Sequence, residues 1–438
     1  MRRLFSVTVF LLLLQSGFSQ NPISPPGVYI ADPTARVWKD GKLYIYGSVD
    51  EDCSYYCSHS YHMMVTEDII NWKLINNVFS SKEKEDEVPY NDKLLFAPSA
   101  IFKDSIYYLY YCQPDKENAE GVATSYSPTG PFKDGQSIDI GQYNEIDPDV
   151  FIDDDGQAYY LWGQFTLKMA KLKPNMKEID KSTFRDSVLT ENEHYFHEGG
   201  FMTKINGLYY LVYADISRGD IPTAIGYATA PDPWGPYTYR GVIVDNNHCN
   251  PRNWNNHGSI AEYNGQWYVF YHRSTHGCNK MRKACVEPIT IMPDGSIPEV
   301  EMTSQGAGGP IDAGRIIQAE WACLLNGNLV IGQHNLQEES INQIKSGDKL
   351  AYKYIDFNEG AKSITIRLKA GSKGGKIVVS SDKPWHKRLA LLEIKPSLDN
   401  QWQDYTFPVE HAEGIHALWL HFYGDDLEMF SIDWFSFK

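Results

Sequence analysis

The segment Asp147-Pro-Asp-Val-Phe-Ile-Asp-Asp-Asp-Gly156, followed by Ala158-Tyr-Tyr-Leu-Trp162, has a pattern that occurs five times in the chain. A strand, a tight turn at Asp/Asn-Gly and an aromatic strand together predict a β-hairpin. The unit recurs at intervals of roughly 50 to 64 residues, a spacing typical of propeller blades. The copies begin, in chain order, at Asp32, Phe96, Asp147, Glu198 and Asn256. The sequence therefore predicts an all-β fold that contains a five-bladed β-propeller.

These five starting residues share one position, nine residues before the turn glycine or, in the second copy, before Ser105. Equivalent positions of successive blades surround the central axis of a propeller. We therefore expect Asp32, Asp147 and Glu198 to meet at one mouth of the channel, together with His257, which follows the fifth position. Asp149 would share a strand face with Asp147, but it lies outside the register of the repeat.

Carboxylates that face one another across a pocket suit the cleavage of glycosidic bonds. A protonated carboxyl group donates a proton to the leaving oxygen, while an ionised one activates water on the opposite face of the sugar. A third carboxylate keeps the acid protonated by like-charge repulsion and helps to orient it. The repeat therefore predicts an active site as well as a fold.

The first 19 residues have the pattern of a secretory signal peptide. Two arginines precede the apolar run Val7–Leu14, and small residues follow at Gly17 and Ser19, where we expect cleavage. Since no later segment resembles a membrane span, we expect an exported protein, periplasmic or secreted, without membrane insertion. The formal net charge of −16 argues against nucleic acid and anionic membranes as partners and is compatible with a neutral polysaccharide. We also expect a monomer.

Seven cysteines are compatible with disulfides in an exported chain, and their odd number leaves at least one unpaired. Cys53 and Cys57 are close enough in sequence to pair, and Cys249 with Cys278 or Cys285 is a second option. A zinc site is not expected, because the spacing lacks a second matched pair of cysteines.

The pattern changes after the propeller, which we assign to residues 20–305. A Gly-rich linker at 306–314 leads to a segment, 315–438, in which short runs alternate apolar and polar residues. Examples are Ser363-Ile-Thr-Ile-Arg-Leu-Lys-Ala370 and His416-Ala-Leu-Trp-Leu-His-Phe-Tyr423. Such strands predict a β-sandwich of jelly-roll type.

The propeller segment resembles glycoside hydrolase family 43. The resemblance rests on five motifs in order: Ala31-Asp-Pro-Thr34, Phe96-Ala-Pro98, Ile146-Asp-Pro-Asp149, His197-Glu-Gly-Gly200 and His257-Gly-Ser-Ile260. It implies an inverting enzyme in which Asp32 is the general base and Glu198 the general acid. It also implies that Asp147 tunes and positions Glu198.

Further residues take roles only through this resemblance. His257 matches a histidine that helps to hold a calcium ion in the channel, largely through waters. Arg282 matches an arginine of the sugar pocket, although Arg252 and Arg273 compete for the role. The candidate pocket aromatics are Trp38, Phe96, Trp162 and Trp254.

The C-terminal segment resembles family 6 carbohydrate-binding modules, through pieces such as Ile317-Gln-Ala-Glu320 and Phe430-Ser-Ile-Asp-Trp-Phe435. Glu320 and Asp433 match positions that hold a structural calcium ion. Ser431 stands where the family usually has an asparagine that contacts sugar. The module therefore either binds carbohydrate or serves as a structural sandwich.

The resemblance implies an exo-acting glycosidase that acts on plant cell-wall oligo- or polysaccharide. α-L-Arabinofuranosidase is the leading activity, and β-D-xylosidase or a galactan-directed activity is the alternative on the same fold. A non-catalytic carbohydrate-binding propeller is the alternative from a different class. Three carboxylates in register argue against it, because a lectin has no need for all three. No organic cofactor is expected.

Overall fold

The computed structural model describes residues 20–141, 145–219, 221–247, 255–333, 338–425 and 428–438. The fold is all-β, with five small antiparallel sheets followed by two larger ones, which confirms the predicted propeller and sandwich. In these ranges the one α-helix is the short α1 (Glu191–His194), and none of the described helices has the length and apolar character of a membrane span. The predicted signal peptide lies outside the described residues.

The propeller strands follow the predicted hairpin repeat. Each of the first four blades has four strands in sequence order, and the fifth has three. The strands are β1 (Ile30–Val37), β2 (Leu43–Val49), β3 (Ser60–Thr66) and β4 (Lys73–Ser80) in blade 1; β5 (Phe96–Lys103), β6 (Ile106–Cys112), β7 (Glu120–Ser125) and β8 (Lys133–Ser137) in blade 2; β9 (Asp149–Ile152), β10 (Ala158–Trp162), β11 (Thr166–Leu172) and β12 (Ile179–Thr190) in blade 3; β13 (Phe196–Ile205), β14 (Leu208–Asp215), β15 (Ala224–Ala230) and β16 (Thr238–Asp245) in blade 4; and β17 (Ser259–Tyr263), β18 (Gln266–Ser274) and β19 (Arg282–Ile289) in blade 5.

Aromatic side chains of the repeated strands fill the space between blades. Tyr111 packs against Phe79 of blade 1 with ring centroids 4.8 Å apart, and Tyr110 packs against Tyr160 of blade 3 at 5.5 Å. Because the two faces of β6 thus serve two different interfaces, the strand is aromatic on both sides. Most of the high aromatic content therefore serves core packing.

The N-terminal segment closes the ring on the open edge of β19. The backbone amide of Ile23 donates to the carbonyl of Ala284 at 2.8 Å. The side chain of Asn21 bonds both backbone groups of Val286, each at 2.9 Å. This segment occupies the place of the fourth strand that blade 5 lacks, so it protects an edge that would otherwise be unpaired.

Near the start of the innermost strand of each blade, one residue has a left-handed backbone conformation. Asp32 has a φ of 52° and Asp147 a φ of 64°, and in the other blades the left-handed residues are Ala97, Gly199 and Asn255. The ladder between β1 and β2 shifts register between Ala31 and Thr34 at this point. Such bulges re-aim side chains at the rim of a sheet. Here they mark the point at which each inner strand meets the channel mouth.

The C-terminal domain is a sandwich of two six-stranded sheets around one apolar core. One sheet contains β20 (Ile311–Asp312), β22 (Leu324–Asn326), β25 (Lys349–Asp356), β27 (Gly375–Ser381), β28 (Arg388–Ile394) and β30 (Ile415–Tyr423), and the other contains β21 (Ile317–Gln318), β23 (Val330–Gln333), β24 (Glu339–Asn342), β26 (Ala361–Ala370), β29 (Gln403–Ala412) and β31 (Phe430–Phe437). The sandwich packs against blade 5, where Lys283 and Glu339 form a fully buried ion pair of 2.8 Å.

The disulfide prediction is wrong. Cys53 pairs with Cys278, 225 residues away, with Cα atoms 5.9 Å apart. Cys57 and Cys285 are buried thiols, and Cys249 lies outside the described residues. The bridge joins the loop after β2 to the loop after β18, which become neighbours only when ring closure places blade 5 beside blade 1. Closeness in sequence therefore gave no guide to the pairing.

Candidate active site

One cavity of about 200 Å³ opens where the five inner strands begin, and every blade contributes to its wall. Its lining residues are Asp32, Tyr56, Cys57, Phe96, Ile146, Asp147, Gln164, His197, Glu198, Asn255, His257 and Arg282. The repeat thus brings together all three predicted carboxylates, His257, Arg282 and Phe96.

Asp32 is buried, and each of its two carboxylate oxygens accepts a hydrogen bond. Arg282 Nη1 lies 2.8 Å from Oδ1, and the Ser48 hydroxyl donates to Oδ2 at 2.7 Å. Burial alone would raise the pKa of Asp32, but the charge of Arg282, with smaller contributions from two histidines, lowers it to about 2. Asp32 is therefore ionised at any working pH of the protein, as a group that accepts a proton must be.

Arg282 is itself fixed by a second carboxylate. Asp50 accepts hydrogen bonds from Nε of Arg282 at 2.8 Å and from Nη2 at 2.9 Å. This paired geometry fixes the plane of the guanidinium group. One nitrogen is thereby directed at Asp32, so Arg282 orients a predicted catalytic group as well as lining the cavity.

Asp147 lies across a histidine from Asp32. Nδ1 of His257 is 3.7 Å from a carboxylate oxygen of each residue. Burial, followed by the negative charges of Glu198 and Asp32, raises the pKa of Asp147 well above its usual range. Since close buried carboxylates do not all ionise together, the cluster retains a proton while Asp32 stays ionised.

Glu198 sits at the bulge of β13, next to the left-handed Gly199. A Cβ atom at Gly199 would lie 2.7 Å from the His257 ring, so only glycine allows the two blades to approach this closely. Oε2 of Glu198 accepts a hydrogen bond of 2.7 Å from the side-chain amide of Gln164. The carboxyl group is thus held at the cavity by a residue of the neighbouring blade 3.

Asp149 lies away from the cavity. Its Oδ1 accepts from Arg36 and from the Ser99 hydroxyl, each at 2.6 Å, and its Oδ2 accepts from the amide of Met202 at 2.8 Å. These partners come from blades 1, 2 and 4, so Asp149 ties the inner strands together. Of the two aspartates, the one in the register of the repeat, Asp147, therefore lines the cavity.

Two of the predicted pocket aromatics lie elsewhere, which corrects those assignments. Trp38 donates to the Tyr46 hydroxyl at 3.1 Å and packs edge-on against Tyr107, because it follows the end of β1 farthest from the channel mouth. Trp162 is fully buried in the core between blades 2 and 3. Trp254 and Arg252 lie outside the described residues.

Sequence reasoning missed several residues that contact the predicted ones, namely Ser48, Asp50, Gln164 and His272. Ser48 could have been found, because antiparallel pairing from the turn at Gly41 places it opposite Ala31, next to Asp32. Asp50 and Gln164 lie in loops beyond the strand ends, where the register gives no guide.

The two predicted calcium sites lie in the propeller channel and in the sandwich. The described residues contain no cluster of three or more His, Cys, Asp or Glu side chains arranged to hold a metal. In the sandwich, however, Oε2 of Glu320 is buried without a hydrogen-bond partner, and burial raises the pKa of Glu320 to about 8. A carboxylate oxygen left in this state fits a cation ligand, so Glu320 is compatible with the predicted role.

The comparisons with known proteins agree with this geometry. Residues 19–297 match the model of glycosyl hydrolases family 43, and residues 324–438 match the model of the family 6 carbohydrate binding module. A xylosidase/arabinosidase from Thermoclostridium stercorarium is 29% identical over 92% of this chain and 96% of its own length.

Solved structures of the same family align with the chain. A β-xylosidase/α-arabinofuranosidase from a compost microbial metagenome is 32% identical, with a TM-score of 0.55 over 65% of this chain and 98% of its own. An arabinoxylan arabinofuranohydrolase from Bacillus subtilis, 22% identical, aligns with a TM-score of 0.54 over 96% of this chain and 97% of its own, and thus shares the fold of both domains. The chain belongs to glycosyl hydrolase family 43 and carries a C-terminal family 6 carbohydrate-binding module.

Proposed function

We propose that this protein is an exo-acting, inverting glycosidase that removes terminal α-L-arabinofuranosyl units from plant cell-wall polysaccharide. The observation that carries the proposal is the single cavity in which Asp32, Asp147 and Glu198 gather around His257. The environments of the three carboxylates differ, and such differences separate an acid from a base.

In this mechanism Asp32 is the general base. Its carboxylate, held ionised by Arg282, takes a proton from a water molecule that attacks the anomeric carbon. Glu198 is the general acid and donates a proton to the glycosidic oxygen as that bond breaks. Burial and the negative charges of Glu198 and Asp32 raise the pKa of Asp147, which keeps a proton available beside Glu198. The products are the free sugar with inverted configuration and the shortened acceptor.

The size of the cavity supports exo-action. Its volume of about 200 Å³ lies below the roughly 300–1,000 Å³ of sites that enclose drug-sized ligands. A cavity this small accommodates one sugar unit, with the rest of the polymer outside the mouth. Terminal units are therefore the expected substrates.

β-D-Xylosidase activity is the second candidate. It is favoured by the names of the bacterial relative and of the compost enzyme, which each combine a xylosidase with an arabinosidase or arabinofuranosidase. A galactan-directed activity stays the third possibility on the same fold. A propeller that only binds carbohydrate is disfavoured by the proton-holding cluster, which a binding site does not need.

Export and calcium binding belong to the same proposal. The Cys53–Cys278 disulfide suits a protein that matures in an oxidising compartment. We propose that Glu320 and Asp433 hold a structural calcium ion in the sandwich and that His257 helps to hold one in the channel. Such ions would supply local positive charge and rigidity.

Hydrolysis of an aryl glycoside panel tests the proposal. The panel contains the α-L-arabinofuranoside, the β-D-xyloside and the β-D-galactoside, and proton NMR identifies the first-formed anomer. We expect fastest release of arabinose, with inversion. A retained anomer would overturn the mechanism, and sugar binding without hydrolysis would favour the non-catalytic alternative.

Variants of the carboxylates test the roles. Asp32→Asn should lose activity on every substrate by roughly a hundredfold or more, since water activation is always required. Glu198→Gln should lose most on poor leaving groups and least on aryl groups that leave as weak bases. Asp155→Asn, in the exposed turn after β9, is the control and should retain activity. Equal losses of Glu198→Gln on all leaving groups would refute its role as the acid.

A further inference from the structure

Gln164 lies between the predicted acid and a partly buried ion pair. It follows β10 of blade 3 and lines the cavity. Its side-chain amide donates to Oε2 of Glu198 at 2.7 Å, and its backbone amide donates to Oε2 of Glu145 at 2.7 Å. The other oxygen of Glu145 is 2.8 Å from Nζ of Lys168, whose side chain is 3% exposed.

The loop that carries Gln164 is built around Gly163. This glycine has a φ of 132°, which L-residues with side chains rarely adopt. A Cβ atom there would lie 2.3 Å from the carbonyl of Thr166 and 3.1 Å from Oε2 of Glu145. The loop is therefore shaped so that Glu145 reaches the backbone of Gln164.

We propose that Gln164 is a positioning residue for the acid step, and this inference rests on the proposed function of Glu198. An amide N–H bonded to Oε2 occupies one lone pair of that oxygen and favours it as the carbonyl oxygen, so the acidic proton is carried by Oε1. The carboxyl group then has one oxygen that is anchored and one that delivers the proton to the glycosidic oxygen. The Lys168–Glu145 pair keeps the anchor in place.

The positions of Gln164 and Glu198 on neighbouring blades support a positioning role for Gln164 over a merely structural one. Glu198 lies on blade 4 and Gln164 on blade 3, so the hydrogen bond fixes the carboxyl group across a blade boundary. Asp147 belongs to the same blade as Gln164, and the charge of Glu198 is one of the causes that raise the pKa of Asp147. Blade 3 thus supplies both a neighbouring carboxyl group and the hydrogen-bond donor to the acid on blade 4.

Gln164→Met tests the inference, because methionine keeps the length of the side chain and removes the donor. On an arabino- or xylo-oligosaccharide, whose leaving group needs a proton, kcat/KM should fall roughly ten- to hundredfold, the scale of a misplaced catalytic group. On an aryl glycoside with an acidic leaving group the loss should stay below roughly threefold. That aryl activity also reports that the variant is folded.

Gln157→Leu is the matched control. The side-chain amide of this glutamine, which belongs to the same blade, donates to the backbone carbonyls of Ala158 and Leu172, so any loss should be equal for both substrates. The double variant Gln164→Met/Glu198→Gln should be no worse than Glu198→Gln on the oligosaccharide, because the two residues act through one proton.

Two results would overturn the inference while leaving the proposed function intact. One is an equal loss of Gln164→Met on both substrates, and the other is an additive loss in the double variant, provided in each case that Glu198→Gln retains its own leaving-group dependence. Absence of that dependence in Glu198→Gln would instead remove the proposed role of Glu198, and this inference with it.

Discussion

Glu287→Gln should make the stability of the propeller less dependent on pH. Glu287 lies on β19 at the closure of the ring, and it is 2% exposed. Its Oε1 accepts from Asn21 at 2.8 Å and from the amide of Thr303 at 2.7 Å, and its Oε2 accepts from the Thr303 hydroxyl at 2.8 Å. A glutamine retains these bonds if its amide nitrogen takes the place of Oε2 and donates to the hydroxyl of Thr303.

The magnitude follows from the pKa of this group. Burial raises the pKa of Glu287 from 4.5 to about 7, although its hydrogen bonds oppose the shift. A folded-state pKa above the unfolded value gives stability that is complete below 4.5 and is lost as the pH rises through 7. At about 1.4 kcal/mol per pKa unit, the loss amounts to about 3 kcal/mol. Glu287→Gln, which has no proton to lose, should avoid it.

Thermal unfolding at several pH values measures this effect. The melting temperature of Glu287→Gln relative to the parent should rise by roughly 6 °C between about pH 4 and pH 8, at about 2 °C per kcal/mol for a domain of this size. Glu262→Gln, an exposed carboxylate of the same blade, is the control and should show no such trend. A constant difference between variant and parent across this range would refute the reasoning.

Two further predictions concern the disulfide and the sandwich. Cys53→Ser/Cys278→Ser should lower the free energy of unfolding by roughly 2–5 kcal/mol, because the bridge closes a very long loop in the unfolded chain. A reductant should lower the melting temperature of the parent toward that of the variant and leave the variant unchanged, whereas an equal fall in both would contradict the prediction. Calcium at about a hundred times the dissociation constant of the sandwich site should stabilise the parent by about 2.7 kcal/mol more than Glu320→Gln, as judged by melting in calcium and in chelator; an equal gain in both proteins would exclude Glu320 as a ligand.

The fold was predictable because its signal is repeated. Each hairpin combines a tight turn with an aromatic strand, so a strand that is hard to assign in one copy can be assigned by comparison with the other four. The same redundancy found Asp32, Asp147 and Glu198, since a shared position in a cyclic repeat becomes a shared position in space.

Residues that lie outside the repeat and depend on contacts between blades were not predictable in this way. Cys53 meets Cys278 only through ring closure. Trp38 has the residue type of a sugar platform, but its place after β1 directs it to the outer core. Gln164 reaches Glu198 from a loop, and loops follow no periodicity. These contacts depend on the three-dimensional placement of single side chains.

A second position that recurs in every blade explains how the left-handed residues at the channel mouth are stabilised. The position seven residues after each turn is occupied by Ser48, Cys112, Gly163, Ala214 and His272. The first, second and fifth of these accept the backbone amide of a left-handed residue in the next blade: Ala97 to Ser48 at 2.9 Å, Asp147 to Cys112 at 3.2 Å and Asp32 to His272 at 3.1 Å.

Left-handed conformations are costly for residues with side chains unless the surroundings fix them. Where the preceding blade offers a side-chain acceptor, the left-handed residue is alanine or aspartate. Where it offers only Gly163 or Ala214, that residue is Gly199 or Asn255, the types that adopt this conformation most readily. The preceding blade therefore stabilises the left-handed backbone of Asp32 and of Asp147 at the channel mouth. The positions of these two carboxylates thus depend on the closure of the ring.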